Sequence, residues 1–212
     1  YQWEPLDQIV EFAQRRGMAV KSMFIYWGGI GGTPPWFRDL NFKKKKQEVE
    51  RWATDLVSRY RGRVAAWEIV NEMHDWGFAN PSCLSHEQSL EMTRFVSDLV
   101  GDLDPGTPRV INHCLIWGEY VQGNVGQGSG GPWCPLTYLE DVIAAGIEFE
   151  GIGLQYYNPG RDLMECIQHL DRFIPFGKDI YITEMGTPSD SRPREEVETR
   201  QIDPNVGWRG PW

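Results

Sequence analysis

Five times along this chain a segment with helical spacing is followed by a short run of β-prone apolar residues. That alternation constrains the fold more than any other feature, because it is the pattern of βα units feeding a parallel sheet. Leu6, Ile9, Val10, Phe12 and Ala13 recur at helical spacing, and Gly17 reads as the helix C-cap. Residues 18–27 read as a continuous, fully buried strand, and 28–35 as a Gly/Pro loop. Val49, Trp52, Ala53, Leu56, Val57 and Tyr60 predict a helix over 41–60, with Lys43 to Lys46 as its solvated face. A strand over 64–72, a helix over 85–103 and a strand over 109–113 follow. A glycine-rich loop over 118–135 precedes a helix over 136–145, which Gly146 stops. A strand over 149–157, a helix over 163–173 and a strand over 179–184 complete the series. After Gly186 the chain turns polar and proline-rich with no regular period. Five strands are fewer than the eight of a closed barrel, so the pattern fits a doubly wound sheet or part of a TIM (β/α)8 barrel.

Two of these runs read as buried strands that end in glutamates. One run reads Trp67-Glu68-Ile69-Val70-Asn71-Glu72, the other Ile180-Tyr181-Ile182-Thr183-Glu184. A parallel sheet places its chemistry at the carboxyl ends of its strands, which favours the barrel over the doubly wound alternative. Two carboxylates so placed suffice to cleave a glycosidic bond with retention, provided that they sit roughly 5–5.5 Å apart. A general acid needs a dry or negatively charged setting that keeps it protonated, and a nucleophile needs donors that keep it ionised. Glu72, beside the Asn71 amide, suits the first role and Glu184 the second. Glu68, earlier in the same strand, reads as a glutamate held in a structural ion pair.

The bulk numbers narrow the partner. A net charge of −9 argues against nucleic acid. No apolar run approaches membrane-spanning length, so no membrane association is expected. Ten tryptophans and eight tyrosines suit partly wet grooves, although core packing is the ordinary use of any one of them. Cys83, Cys114, Cys134 and Cys166 lack C-x-x-C spacing; Cys83 and Cys134 fall in loops and could pair, whereas Cys114 and Cys166 read as buried and free. Glu72, His74 and Asp75 match no zinc spacing, so neither a metal nor a cofactor is expected. His74, Asp75 and His113 are weaker candidates for substrate contact, as are Trp117, Glu119 and Tyr120 at the mouth of the glycine-rich loop. His86 and His169 read as surface or packing residues.

Taken together, these motifs resemble family 10 glycoside hydrolases, the endo-β-1,4-xylanases. Residues 67–72 are similar to that family's acid/base motif and 182–184 to its nucleophile motif. Residues 151–157 are similar to its sixth strand, and 20–27 with Pro35-Trp36-Phe37 to its third strand and loop. The resemblance implies a (β/α)8 barrel that spans strands three to seven over residues 1–212 as one partial catalytic domain. It also implies secretion and retaining endo-hydrolysis of xylan or a related plant polysaccharide. By position, Glu72 would be the acid/base and Glu184 the nucleophile. Asn71 would meet the sugar 2-hydroxyl, Trp27 would pack under that sugar, and Gln155 would line the same subsite. Met23 and Tyr157 stand where the family carries sugar-binding histidines, and Asn112-His113 where it carries Asn-Asp. A Tyr157 phenol could still donate to Glu184. These departures leave room for another β-glycan as substrate, or for a sugar-binding barrel without catalysis. The family's first two strands and its eighth find no match, and Trp208 and Trp212 are not secure counterparts of its eighth-strand tryptophan. The expectation is therefore a fragment, poorly stable and weakly active alone.

Overall fold

The computed structural model describes residues 2–29, 31–74, 84–114, 116, 134–157 and 162–186. Its sheet is built from β1 (Tyr26–Trp27), β2 (Trp67–Asn71), β3 (Arg109–His113), β4 (Gly151–Tyr157) and β5 (Asp179–Gly186). All pairings are parallel, and the spatial order β1-β2-β3-β4-β5 is the order along the chain. A doubly wound sheet reverses its strand order at a switch point. Among the described strands this sheet never does, so it is singly wound, as in a (β/α)8 barrel. Right-handed crossovers then place α3 (Phe42–Tyr60), α4 (His86–Leu103), α5 (Pro135–Ala144) and α6 (Leu163–Asp171) on one face of it.

Local chemistry sets the helix starts. The Asn41 side chain accepts from Lys44 N at 3.0 Å, while Ser85–Gln88 and Asp162–Glu165 form full capping boxes at α4 and α6. α1 (Glu4–Arg15) docks on α3 through Asp7, which accepts from Arg59 and from the Tyr60 hydroxyl, and through Trp3 stacked on Trp52 at 5.5 Å. Pro35 at the first turn starts a four-residue helix, α2 (Pro35–Arg38), inside what reads from sequence as the end of a loop. The core lies between sheet and helices. Trp67 is fully buried in it, with Nε1 donating to Asp104 Oδ2 at 2.9 Å just past the end of α4.

Four expectations need correction. Residues 18–27 are not a continuous buried strand: only Tyr26 and Trp27 pair regularly, with an isolated Lys21–Ala66 bridge behind them, and Met18 and Met23 are exposed. β5 is not buried either, since Ile182 and Met185 are exposed. Each of these strands has a neighbour on one side only among the described residues, and an apolar run does not tell a central strand from an edge. Lys45 does not belong to a solvated face. It is buried over the Phe37 ring, and its Nζ donates to Arg38 O at 2.8 Å and Leu40 O at 2.6 Å, serving the end of α2. Cys166 is half-buried rather than buried, whereas Cys114 is buried as expected. Cys83, and with it any pairing to Cys134, lies outside the described residues.

Candidate active site

The carboxyl ends of the strands bring a set of polar side chains to one level. The register pairs Trp27 with Asn71, Asn71 with Asn112, and Gln155 with Glu184. Strict alternation would put Glu68 and Asn71, three positions apart, on opposite faces. A register slip between Glu68 and Val70 lets both reach Asn112. A second slip, opposite Leu154 and Gln155, makes Thr183 the extra residue of β5, so that the adjacent Thr183 and Glu184 both meet the same asparagine.

Asn112 is the hub of the site. Its Nδ2 lies 2.9 Å from Glu184 Oε1, 3.1 Å from Asn71 Oδ1 and 3.2 Å from Glu68 Oε1. Carboxylates only accept, so the amide NH2 must face them, and the Thr183 hydroxyl donates to the remaining Oδ1. Gln155 Nε2 spends its two hydrogens on Asn71 Oδ1 at 3.2 Å and Glu72 Oε1 at 2.7 Å. One unbroken chain of amides, Gln155–Asn71–Asn112, thus joins Glu72 to Glu184. Asn71 accepts twice through its oxygen, which leaves its own NH2 to donate elsewhere.

Backbone strain marks the same place. Glu72 has φ 55°, the only positive φ on a non-glycine among the described residues. That conformation costs a side-chain-bearing residue on the order of 1–2 kcal/mol. The surroundings hold it, in part through Glu72 N donating to Asn112 O at 3.0 Å. Gly153 supplies the room. A β-carbon there would fall 2.7 Å from Asn112 Oδ1 and 2.7 Å from Thr183 Cγ2.

Below the glutamate pair sits a third carboxylate. Glu68 is buried and forms its ion pair with Lys21, as expected from sequence, and its backbone N donates to Ser22 Oγ at 3.0 Å. Burial raises the Glu68 pKa; Lys21 opposes the shift and the Glu184 charge adds to it.

The other candidates part company. His74 and His113 are wholly buried against Tyr138 of α5, on the helix side and away from the carboxylates. A strand-end position says nothing about which face a side chain takes, so the expectation that they touch substrate is set aside. Trp27 is half-buried beside Asn71, with the turn at Gly29 and Gly32 lying against its indole. Tyr157 closes β4 opposite Gly186 in register, and its side chain is outside the described set. Trp117, Glu119, Tyr120, Asp75, Trp208 and Trp212 lie outside the described residues altogether. His86 meets Asp141 at 3.1 Å and His169 packs on Tyr156 and Phe173, so both are packing or surface residues as expected. Asn112 as hub and Thr183 as its orienter are members of this network that sequence reasoning missed. The available signal was a polar residue inside the apolar run Val110-Ile111-Asn112.

Comparison with known proteins bears on the family and the fold. Residues 1–94 match glycosyl hydrolase family 10. The chain is 27% identical over 160 residues to endo-1,4-beta-xylanase 3 of Hypocrea jecorina, a match that covers 74% of this chain and 43% of that protein. It is 26% identical over 190 residues to endo-1,4-beta-xylanase B of Thermotoga neapolitana, covering 87% of this chain and 52% of that one. The chain therefore spans about half the length of these curated relatives. Among solved structures, native xylanase 10B of Thermotoga maritima superposes with a TM-score of 0.69 at 21% identity, over 93% of this chain and 60% of that one. The GH10 structure from Paenibacillus barcinonensis gives 0.69 at 22% identity, over 92% and 61%. At these identities the superpositions establish the fold, a (β/α)8 barrel of which this chain carries five strands among its described residues.

Proposed function

We propose that this chain, whose residues 1–94 match glycosyl hydrolase family 10, is a member of that family and carries the catalytic strand ends of a retaining endo-β-1,4-xylanase. The observation that carries the reading is the amide chain tying Glu72 to Glu184. In the first step Glu184 attacks the anomeric carbon while Glu72 gives its proton to the departing glycosidic oxygen, and a glycosyl-enzyme ester forms. In the second step Glu72 takes a proton from water, the water oxygen bonds to the anomeric carbon, and Glu184 leaves as carboxylate. The Asn112 amide suits a nucleophile that must stay ionised and aimed. Gln155 engages one oxygen of Glu72, so the proton travels on the other. The Asn71 NH2 would donate to the 2-hydroxyl of the reacting sugar, with Trp27 beside it as the floor of the subsite.

The polymer is the open part of the proposal. Met23 is 68% exposed and offers a hydroxyl no useful hydrogen bond, which supports keeping another β-glycan as the second reading. Product analysis of the full-length protein on xylan, glucan and mannan separates the two. Glu184→Ala should abolish turnover while sparing binding. Glu72→Ala should spare sugars with activated aryl leaving groups, which need no protonation, and lose the rest. Unchanged turnover in Glu184→Ala defeats the assignment.

A further inference from the structure

His74 follows the strained Glu72 by two residues, and neither it nor His113 has a part in the chemistry above. The two rings lie side by side behind the ends of β2 and β3, with centroids 5.4 Å apart and both side chains fully buried. Their hydrogen bonds determine their protonation. His74 Nε2 lies 3.2 Å from the Cys114 carbonyl oxygen, which can only accept, so Nε2 carries the hydrogen. A neutral His74 is then bare at Nδ1. His113 Nδ1 lies 3.5 Å from it and must be the donor of that pair. That leaves His113 Nε2 as a buried lone pair, and no described group bonds to it. The titratable groups packed against the rings are Tyr138 of α5, whose hydroxyl shares a hydrogen with Thr93 of α4 at 2.6 Å, and the Cys114 thiol at 3.8 Å from His74 Nε2. Among the described residues no three His, Cys, Asp or Glu side chains gather to hold a metal.

We propose that His74 and His113 are positioning residues for Glu72: His113 Nδ1–H donates to His74 Nδ1, His74 Nε2–H donates to Cys114 O, and this tether holds the chain that leaves Glu72 in its left-handed conformation. A residue with φ 55° relaxes to a common backbone region unless the chain on both sides is fixed. On one side β2 and the Glu72 N–Asn112 O bond fix it. On the other, Met73 is buried in the core and His74 makes the first side-chain hydrogen bond after Glu72 among the described residues. The arrangement works only with both rings neutral. A proton on His74 sets N–H against N–H, and one on His113 creates a buried donor with no described acceptor. Burial depresses both imidazoles, His74 to about 4, which keeps the tether closed in mildly acid conditions.

This inference rests on Glu72 being the acid/base, and leaving-group dependence tests the two separately. The substrates are a pair of aryl β-xylobiosides, one with a poor leaving group and one with a dinitrophenyl group, and the protein is the full-length enzyme. His113→Phe keeps the ring and removes the donor. It should lose roughly 10- to 100-fold in kcat/KM on the poor leaving group, a fraction of what a general acid supplies, and about 2-fold or less on the dinitrophenyl compound. His113→Asn places an amide N–H where Nδ1–H was and should restore the ratio. Equal losses on both substrates, or no loss in His113→Phe, overturn the proposal. If Glu72→Ala shows no leaving-group dependence, the acid/base reading itself falls. A measurement on the unsubstituted protein needs no variant to fold. The chain holds four histidines, and selective 15N-histidine NMR at pH 6 should find one ring protonated at Nε2 alone and its neighbour at Nδ1 alone. Two matching tautomers, or a cation at either ring, overturn the tether.

Discussion

Gly153→Ala tests the hub with one methyl group. The added carbon would meet Asn112 Oδ1 and Thr183 Cγ2 at 2.7 Å each and Asn112 Cα at 3.2 Å. Gly153 is not among the positive-φ glycines, so the backbone tolerates alanine and only space is at issue. Neither close neighbour is the far end of a long flexible side chain. Asn112 Oδ1 is held by the Thr183 hydroxyl, and Thr183 sits in the extra position of β5. Over-packing of this kind costs about 1–3 kcal/mol of stability. The larger effect should be on rate. If Asn112 moves, its NH2 leaves Glu184, and a misplacement near 1 Å costs roughly 100-fold. The assay is kcat on xylan beside urea unfolding, for Gly153→Ala, Thr183→Ser and the double variant. Thr183→Ser keeps the hydroxyl and removes the methyl that the new carbon strikes, so the double variant should recover part of both losses. Full rate in Gly153→Ala, or strict additivity in the double variant, would refute the claim that Gly153 exists to let Asn112 and Thr183 meet.

Lys21→Met should destabilise the fold near neutrality toward the lower end of the roughly 3–5 kcal/mol of a broken buried pair, because the Lys21 side chain is 30% exposed. Burial raises the Glu68 pKa, so the folded state binds that proton more readily than the unfolded chain, and the variant should regain stability as pH falls; urea midpoints at pH 7 and 5 check the sign. His74 titrates the other way. Its pKa falls from 6.5 unfolded to about 4 folded, so its contribution is intact above pH 6.5 and lost as pH drops toward 4, at up to ~1.4 kcal/mol per unit. His74→Gln should flatten that stretch of the denaturation profile. Trp67→Phe removes the donor to buried Asp104 and should cost about 1–3 kcal/mol with kcat little changed, seen in thermal melts beside rates.

Periodicity reached the helices closely because it reports which face of a segment is apolar. The expected 41–60 became Phe42–Tyr60, and 85–103 became His86–Leu103. Strands were read less well. The run 18–27 and the run ending at Glu184 are apolar as central strands are, yet Met23 and Ile182 are exposed, because the number of neighbours a strand has is a property of the sheet. At the site, Glu72, Glu184, Asn71 and Gln155 were visible as polar residues ending apolar runs. Asn112 is as polar and as well placed, but its importance comes from what converges on it, and convergence depends on register. His74 and His113 were misjudged for the matching reason, since alternation sends successive strand-end residues to opposite faces.

The three departures from ideal strand geometry described above share one cause. A regular parallel sheet offers an interior side chain at every second residue, too sparse to put two carboxylates and three amides in contact. The slip at Glu68–Val70 brings a second β2 side chain to Asn112. The extra residue Thr183 lets two successive β5 side chains meet the same partner. The left-handed Glu72 turns the residue after the last β2 pairing back toward Gln155. The first adds Glu68 and the second adds Thr183 to the Asn112 hub, and the third closes the link between Gln155 and Glu72. The irregularities therefore cluster at the carboxyl ends because that is where side-chain density must exceed what alternation supplies. Gly153, which adds no side chain of its own, is what makes room for that density.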